Sequence, residues 1–126
     1  HVKFLGHISP ESLGAIMASA EAMLYVSLFE GFGIPIIEAM QCDVPVITSN
    51  TTSMPEAAGD AAILVNPVEV EKIADAMQQI ATDVTLRNNL IEHGRLQIQK
   101  FSWDKTAGAL WNCCEKVLIN NANKNI

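Results

Sequence analysis

Two acidic residues with two glycines between them form the part of the sequence best suited to bind a ligand. Glu30 precedes Gly31 and Gly33, and Glu38 follows eight positions after Glu30. A carboxylate suits a vicinal diol because its two oxygens accept hydrogen bonds from two hydroxyl groups at once. Glycine permits a positive φ and lets the backbone approach a ligand closely, which we expect of both glycines here. The pattern favours a ligand rich in hydroxyl groups.

Pro35 indicates that a helix begins directly after the glycines, because its missing N–H costs nothing in a first helical turn. The N–H groups of Gly33, Ile34 and that turn would then point at a diphosphate. Glu38 would lie about one turn further on, where it can accept hydrogen bonds from a ribose diol. Glu30 is placed to accept from the hydroxyls of a hexose beyond the phosphates.

Each of these features has a simpler explanation when it is taken alone. Glu38 near a helix N-terminus is favoured by the helix dipole without any ligand. Loops with two glycines at this spacing occur in many folds. The combination is more specific, since it joins a strand, an acid, two glycines, a proline at a helix start and a second acid.

The elements around this junction are those of an α/β protein. Short apolar runs alternate with helical patterns, and they are continuous, as is typical of parallel strands covered on both faces. The predicted strands are residues 2–5, 23–27, 44–48 and 62–65. We predict one Rossmann-like parallel sheet of about four strands with helices on both faces. Ligands bind beyond the carboxyl ends of such strands, where Glu30 lies.

Helical spacing predicts the remaining elements. Ser9 and Pro10 are residue types that begin a helix. The face of this helix that we expect to be buried consists of Leu13, Ile16, Met17 and Ala20. An apolar stripe over residues 70–81 predicts another helix, and Ser102 can cap the last one. Residues 119–126 are expected to form a frayed tail.

Composition limits the classes of partner. The net charge is −6, from 8 Lys and Arg against 14 Asp and Glu, which argues against nucleic acid and against an anionic membrane. No apolar run approaches the roughly 20 residues of a membrane span. The His and Cys residues have no metal-ligand spacing, so we predict neither a metal nor another cofactor. We expect a cytoplasmic protein and leave open peripheral attachment at the inner membrane through an absent domain.

The segment from Glu30 to Glu38 resembles the E-x7-E motif of GT-B-fold retaining glycosyltransferases, specifically family 4, glycosyl transferases group 1. The resemblance covers about residues 1–112. The segments that resemble the family pattern are residues 2–8, 31–40, 44–49, 55–61 and 101–103. It implies that residues 1–126 are part of a C-terminal nucleotide-sugar-binding domain. His1 leads directly into the first predicted strand, so we expect a portion of a longer protein.

The resemblance also implies residue roles around the glycines. Glu30 would contact the donor sugar, as would the backbone amides of Gly31, Phe32 and Gly33. The amides of Gly33 and Ile34 would contact the phosphates. Glu30 would be the acid nearest the donor sugar, but no complete set of catalytic residues is expected in this chain.

Further roles implied by the resemblance concern the nucleoside. Glu38 would bind the ribose, and the loop at His7 and Ile8 would pack against the base through main-chain atoms. The substrate would be a nucleoside-diphosphate sugar, with UDP- or GDP-sugars favoured by their frequency in the family. The acceptor would bind to an N-terminal domain of the same polypeptide that is absent here.

One feature of the family has no counterpart in this sequence. The family's donor domain begins with further βα units that carry an Arg and a Lys to neutralise the leaving diphosphate, and no such pair precedes Val2. We therefore expect this chain alone not to turn over a donor. Two alternatives to a transferase stay open: a non-catalytic nucleotide-sugar-binding module, and another GT-B enzyme such as a sugar-nucleotide epimerase or a phosphorylase.

Overall fold

The computed structural model describes residues 2–122, in which strands and helices alternate along the chain. The strands are β1 (Met23–Tyr25), β2 (Val46–Ser49) and β3 (Ala62–Val65). The helices are α1 (Pro10–Ala18), α2 (Ile34–Gln41), α3 (Met54–Ala58), α4 (Val70–Thr82), α5 (Val84–Gln97) and α6 (Trp103–Ala122), and a 3-10 helix (Ile98–Lys100) lies between α5 and α6.

The three strands form one parallel sheet in the order β1-β2-β3. In its register, Leu24 lies beside Ile47, and Ile47 lies beside Ile63. Each connection between neighbouring parallel strands contains a helix, as a parallel sheet requires. The predicted class of a Rossmann-like α/β sheet is confirmed, with three strands where about four were expected.

The core lies on both faces of the sheet because the central strand β2 is buried on both sides. Its alternate side chains point to opposite faces, so Val46 and Ile47 belong to different clusters. The cluster of Val46 includes side chains of α2 and α3, namely Ile36, Ala39, Met40, Met54, Ala57 and Ala58. The cluster of Ile47 includes side chains of α4 and α5, namely Ala76, Ile80 and Leu90. The helices on both faces are therefore as predicted.

Residues 2–5 do not form the first strand that their apolar pattern predicts. They have no regular structure, and the side chains of Val2 and Phe4 are 83% and 96% exposed. A strand is stabilised by hydrogen bonds to a neighbouring strand. The pairing found within residues 2–122 involves β1, β2 and β3 alone, so this segment has no strand beside it.

The first and last helices, α1 and α6, begin where the sequence predicts. Their apolar faces, however, are not buried within the described chain. Ser9 Oγ accepts from the Ser12 amide at 3.3 Å, and Ser102 Oγ accepts from the Lys105 amide at 3.1 Å. In α1 no residue is buried, although Met17 packs against the Val46 cluster. The exposed large side chains of these two helices are Leu13, Ile16, Trp103, Leu110, Trp111, Val117, Leu118 and Ile119.

Helix α6 continues to Ala122, through the first part of the segment predicted as a frayed tail. The rest of that segment, residues 123–126, lies outside the described residues. None of the helices described between residues 2 and 122 combines the length and apolar character needed to cross a bilayer.

Candidate functional site

The loop between β1 and α2 carries the acid-glycine pattern. Gly33 is the N-cap of α2, with φ 105° and ψ 44°, and Pro35 lies in the first turn as predicted. Only a glycine adopts such a φ without strain, so this residue makes the abrupt turn from loop to helix. Gly31 does not have a positive φ, so the expectation for the first glycine is wrong. A Cβ atom added at Gly31 would meet nothing within 4 Å.

The turn at Gly33 leaves backbone donors at the start of α2. The Ile36 amide donates to the Gly33 carbonyl at 3.0 Å, whereas within the described residues the amides of Gly33 and Ile34 donate no hydrogen bond to the backbone. Free amides at a helix N-terminus, together with the helix dipole, form a site of positive potential. An anionic group can be held there without a basic side chain.

The Glu30 carboxylate is held by two hydroxyl groups. The Tyr25 hydroxyl donates to Glu30 Oε1 at 2.7 Å, and Ser27 Oγ donates to the same oxygen at 2.9 Å. Both bonds stabilise the anion, Tyr25 most strongly, and they lower the pKa of Glu30 below its usual range. The same contact raises the pKa of Tyr25, so the phenol stays protonated and remains a donor.

The loop after β2 fixes the backbone of Glu30. Ser53 Oγ donates to the Glu30 carbonyl at 2.9 Å, and the Glu30 amide donates to Thr52 Oγ1 at 3.5 Å. Thr51 Oγ1 donates to the Leu28 carbonyl at 3.4 Å. Two segments that follow the carboxyl ends of neighbouring parallel strands are thereby joined at the place where such sheets bind ligands.

Glu38 lies one turn into α2 with its side chain exposed. It lines a groove of about 520 Å³ together with Phe32 and Ile34 from the junction. The opposite wall is formed by residues around the start of α6, among them Phe101 and Trp103. The structure therefore places Glu38 on the same helix end as the free amides, in a position open to a ligand.

Phe32 joins the junction to the segment before α6. Its ring lies edge-on to that of Phe101, with 5.4 Å between the ring centroids and 77° between the planes. Such T-shaped pairs are favoured by the charge distribution of the two rings. The side chain of Phe32 thus packs against Phe101, although it is 37% exposed.

The predicted base-side loop, at His7 and Ile8, does not line the groove beside Glu38. His7 is exposed and Ile8 is half-buried. Within residues 2–122, no group of three or more His, Cys, Asp or Glu side chains could hold a metal ion. The junction therefore offers carboxylates, hydroxyls and amides as its binding groups.

Sequence reasoning missed the hydroxyl partners of Glu30. Tyr25 and Ser27 are two residues apart in the predicted strand 23–27, a spacing that places side chains on one face of a strand, although the observed β1 ends at Tyr25. That spacing is a usable signal for a pair of donors near Glu30. Thr52 and Ser53 are residue types common in turns, so their types alone do not single them out as partners of Glu30.

The sequence model of the family described as glycosyl transferases group 1 matches residues 1–97. The chain belongs to this family. O-antigen chain mannosyltransferase B of Escherichia coli, which resembles this group 1 chain, is 40% identical over 82% of the chain. MMP alpha-(1->4)-mannosyltransferase of Mycolicibacterium hassiacum is 31% identical over 91% of it.

A solved structure supports the fold of this group 1 chain. Sucrose-phosphate synthase from Thermosynechococcus elongatus matches 94% of the chain with a TM-score of 0.79 and 28% identity. The match to a GT-B glycosyltransferase domain predicted from the sequence is therefore confirmed. The chain spans 30% of that structure, and 27% and 29% of the length of the two mannosyltransferases.

Proposed function

We propose that this chain is the donor-binding part of a retaining glycosyltransferase that transfers a sugar from a nucleoside-diphosphate sugar to an acceptor. The observation that carries the proposal is the arrangement at the start of α2. An ionised Glu30 precedes the free amides of Gly33 and Ile34, and the exposed Glu38 follows one helical turn later. In that order, these groups have the chemistry to bind the hexose, the diphosphate and the ribose of such a donor.

Each part of the donor has a binding group with suitable chemistry. Glu30 accepts hydrogen bonds from sugar hydroxyls, assisted by the amides of Gly31 and Phe32. The amides of Gly33 and Ile34 bind the phosphates in the potential of the α2 N-terminus. Glu38 accepts from the ribose diol. His7 and Ile8 remain the proposed base-side contacts, through their main chain.

The relatives point to the sugar that should be tested first. Two of the proteins most similar to this chain carry the word mannosyltransferase in their names. We therefore place a mannosyl donor at the head of a panel that contains GDP-mannose, UDP-glucose and ADP-glucose. The panel is suited to the site because the binding groups described here contact parts that all nucleoside-diphosphate sugars share.

Transfer needs positive charge, which the loops that form the junction do not supply. No Lys or Arg occurs between Lys3 and Lys72, so the loops around Glu30 and Ser53 contain no cation. The diphosphate becomes more negative as the anomeric C–O bond breaks, and helix-end amides supply only part of the required stabilisation. We propose that cations and the acceptor site come from an N-terminal region of a longer polypeptide.

The proposal is tested by Glu38→Ala in the full-length protein that contains this chain. Loss of a hydrogen-bonded carboxylate should weaken donor binding about tenfold or more, measured by titration calorimetry with the donor panel. Glu71→Ala is the matched control, since Glu71 is an exposed acid in the first turn of α4. Equal donor affinity in both variants and the parent would overturn the ribose role.

A further inference from the structure

Tyr25 at the end of β1 and Ser27 just after it hold one oxygen of the Glu30 carboxylate. Tyr25 and Ser27 both donate to Oε1, and no described residue donates to Oε2. A carboxylate oxygen offers about two acceptor positions, so Oε1 is close to saturated and Oε2 keeps its full capacity. Oε2 of Glu30 is therefore more available to a ligand than Oε1.

The phenol that makes this difference is fixed to the core. The Tyr25 carbonyl accepts from Thr48 Oγ1 at 2.7 Å, and the Tyr25 side chain packs against the Val46 cluster. The Ser27 carbonyl likewise accepts from Ser49 Oγ at 2.7 Å. These bonds tie both donors to β2, which is the one strand of the described sheet that is buried throughout.

The donors are neutral, which matters for the ligand. A carboxylate held by Lys or Arg loses much of its charge to the pair, and no such residue occurs between Lys3 and Lys72. Two hydroxyl donors instead fix the orientation of Glu30 and leave its negative charge available. They also lower the pKa of Glu30, so that the group stays ionised in a half-buried loop.

We propose that Tyr25 is a positioning residue, which together with Ser27 holds Oε1 of Glu30 so that Oε2 faces the hydroxyl groups of the donor sugar. The inference rests on the proposed function, because it assigns to Glu30 the contact with the sugar. Tyr25 does not itself touch the donor. It acts through Glu30, and its effect should vanish when that carboxylate is removed.

A double-mutant cycle tests this in the full-length protein, with kcat and KM measured for the donor. Tyr25→Phe keeps the ring and its packing and removes one charge-assisted hydrogen bond, so kcat/KM should fall about tenfold. Glu30→Ala should lower it about thirtyfold or more. In the Glu30→Ala background, Tyr25→Phe should change kcat/KM less than about twofold.

Ser27→Ala removes the other hydroxyl donor to Glu30, and we expect kcat/KM to fall about threefold. Ser19→Ala is the matched control, because Ser19 Oγ donates to the Ile16 carbonyl at the end of α1.

The pH profile of kcat/KM separates a positioning role of Tyr25 from a role in folding alone. Loss of the phenol donor should move the acidic limb of kcat/KM to higher pH, since the pKa of Glu30 would rise toward its ordinary value.

The outcomes distinguish failure of the positioning role of Tyr25 from failure of the proposed sugar contact of Glu30. If Glu30→Ala leaves kcat/KM unchanged, the proposed sugar contact fails, and the inference fails with it. If Glu30→Ala is harmful but Tyr25→Phe has the same effect in both backgrounds, Tyr25 acts independently and the positioning role alone is overturned. No effect of Tyr25→Phe in the parent also overturns that role while the sugar contact stands.

Discussion

The terminal amide of Gln97 lies directly against Gly59, 38 residues earlier in the chain. A Cβ atom added at Gly59 would lie 2.5 Å from Gln97 Oε1, and Gly59 has a φ of +54°. The buried Gln97 amide cannot move away freely. It donates to the carbonyls of Glu56 at 3.0 Å and Ala57 at 3.1 Å, and it accepts from Lys100 Nζ at 2.7 Å. The contact joins the end of α3 to the end of α5.

Gly59→Ala should therefore destabilise the protein by about 2 kcal/mol or more, from the strained backbone and the lost hydrogen bonds of Gln97. Urea unfolding of the full-length protein measures the change. Gly108→Ala is the matched control in α6, where a Cβ would meet nothing within 4 Å. We expect the control to be neutral or slightly stabilising. Equal stability of the two variants would contradict the close packing.

Gly33→Ala should affect both folding and donor binding. The φ of +105° disfavours any Cβ, and a Cβ here would lie 3.2 Å from Ile36 Cδ1 and 3.3 Å from Met54 Cε. We expect a loss of about 1–3 kcal/mol in stability. Because the start of α2 would shift, KM for the donor should also rise. Urea unfolding and initial-rate kinetics measure the two effects, and an unchanged KM would argue against the phosphate role.

The pair between Asp43 and Arg95 predicts a pH-dependent contribution to stability. Arg95 Nε and Nη2 both donate to the Asp43 carboxylate at 2.7 Å, and this lowers the pKa of Asp43. A lowered pKa in the folded state contributes stability at pH values above the ordinary aspartate pKa of about 3.9. That contribution is lost as the pH falls through the lowered folded-state value.

Asp43→Asn tests this pair without disturbing the turn, because Asn also tolerates the φ of 57° found at Asp43. The variant should have a lower Tm than the parent at pH 7. The difference should shrink toward zero on acidification below the folded-state pKa of Asp43, measured by calorimetry of the full-length protein. A difference that stays constant with pH would show that the ion pair is not its source.

The chain by itself should bind a donor without turning it over. Between Lys3 and Lys72 it supplies no cation for the leaving diphosphate, and the groups that we propose to bind the phosphates are the amides of Gly33 and Ile34. The measurement is a hydrolysis and transfer assay of the isolated chain with the donor panel. The full-length protein serves as the positive control. Clear turnover by the isolated chain would disprove the prediction.

Local sequence signals predicted much of the fold and of the junction. Ser9 and Ser102 are side-chain types that cap helices, and Pro35 marks the start of α2, as the structure shows. These signals work because a cap or a first turn depends on a few adjacent residues. The roles of Glu30 and Glu38 toward a ligand stay predictions.

Features that depend on distant partners were not predictable in this way. Residues 2–5 have the pattern of a strand, but a strand forms only beside another strand. Gly33 takes the positive φ and Gly31 does not, and Gly33 lies against the side chain of Met54 from another helix, a contact that the local pattern does not contain. The hydrogen bond from Tyr25 to Glu30 depends on a side-chain orientation and on a backbone that Thr48, 23 residues later in the chain, bonds from β2.

The edge-on contact of Phe32 with Phe101 bears on where a recombinant domain should stop. The family match ends at residue 97, and a gene trimmed there would keep both acids and both glycines of the junction. It would delete the ring against which Phe32 packs. Donor binding measured on such a truncation would be that of a loop without its aromatic contact. An expression boundary placed beyond Trp103 keeps the site and its aromatic support in one piece.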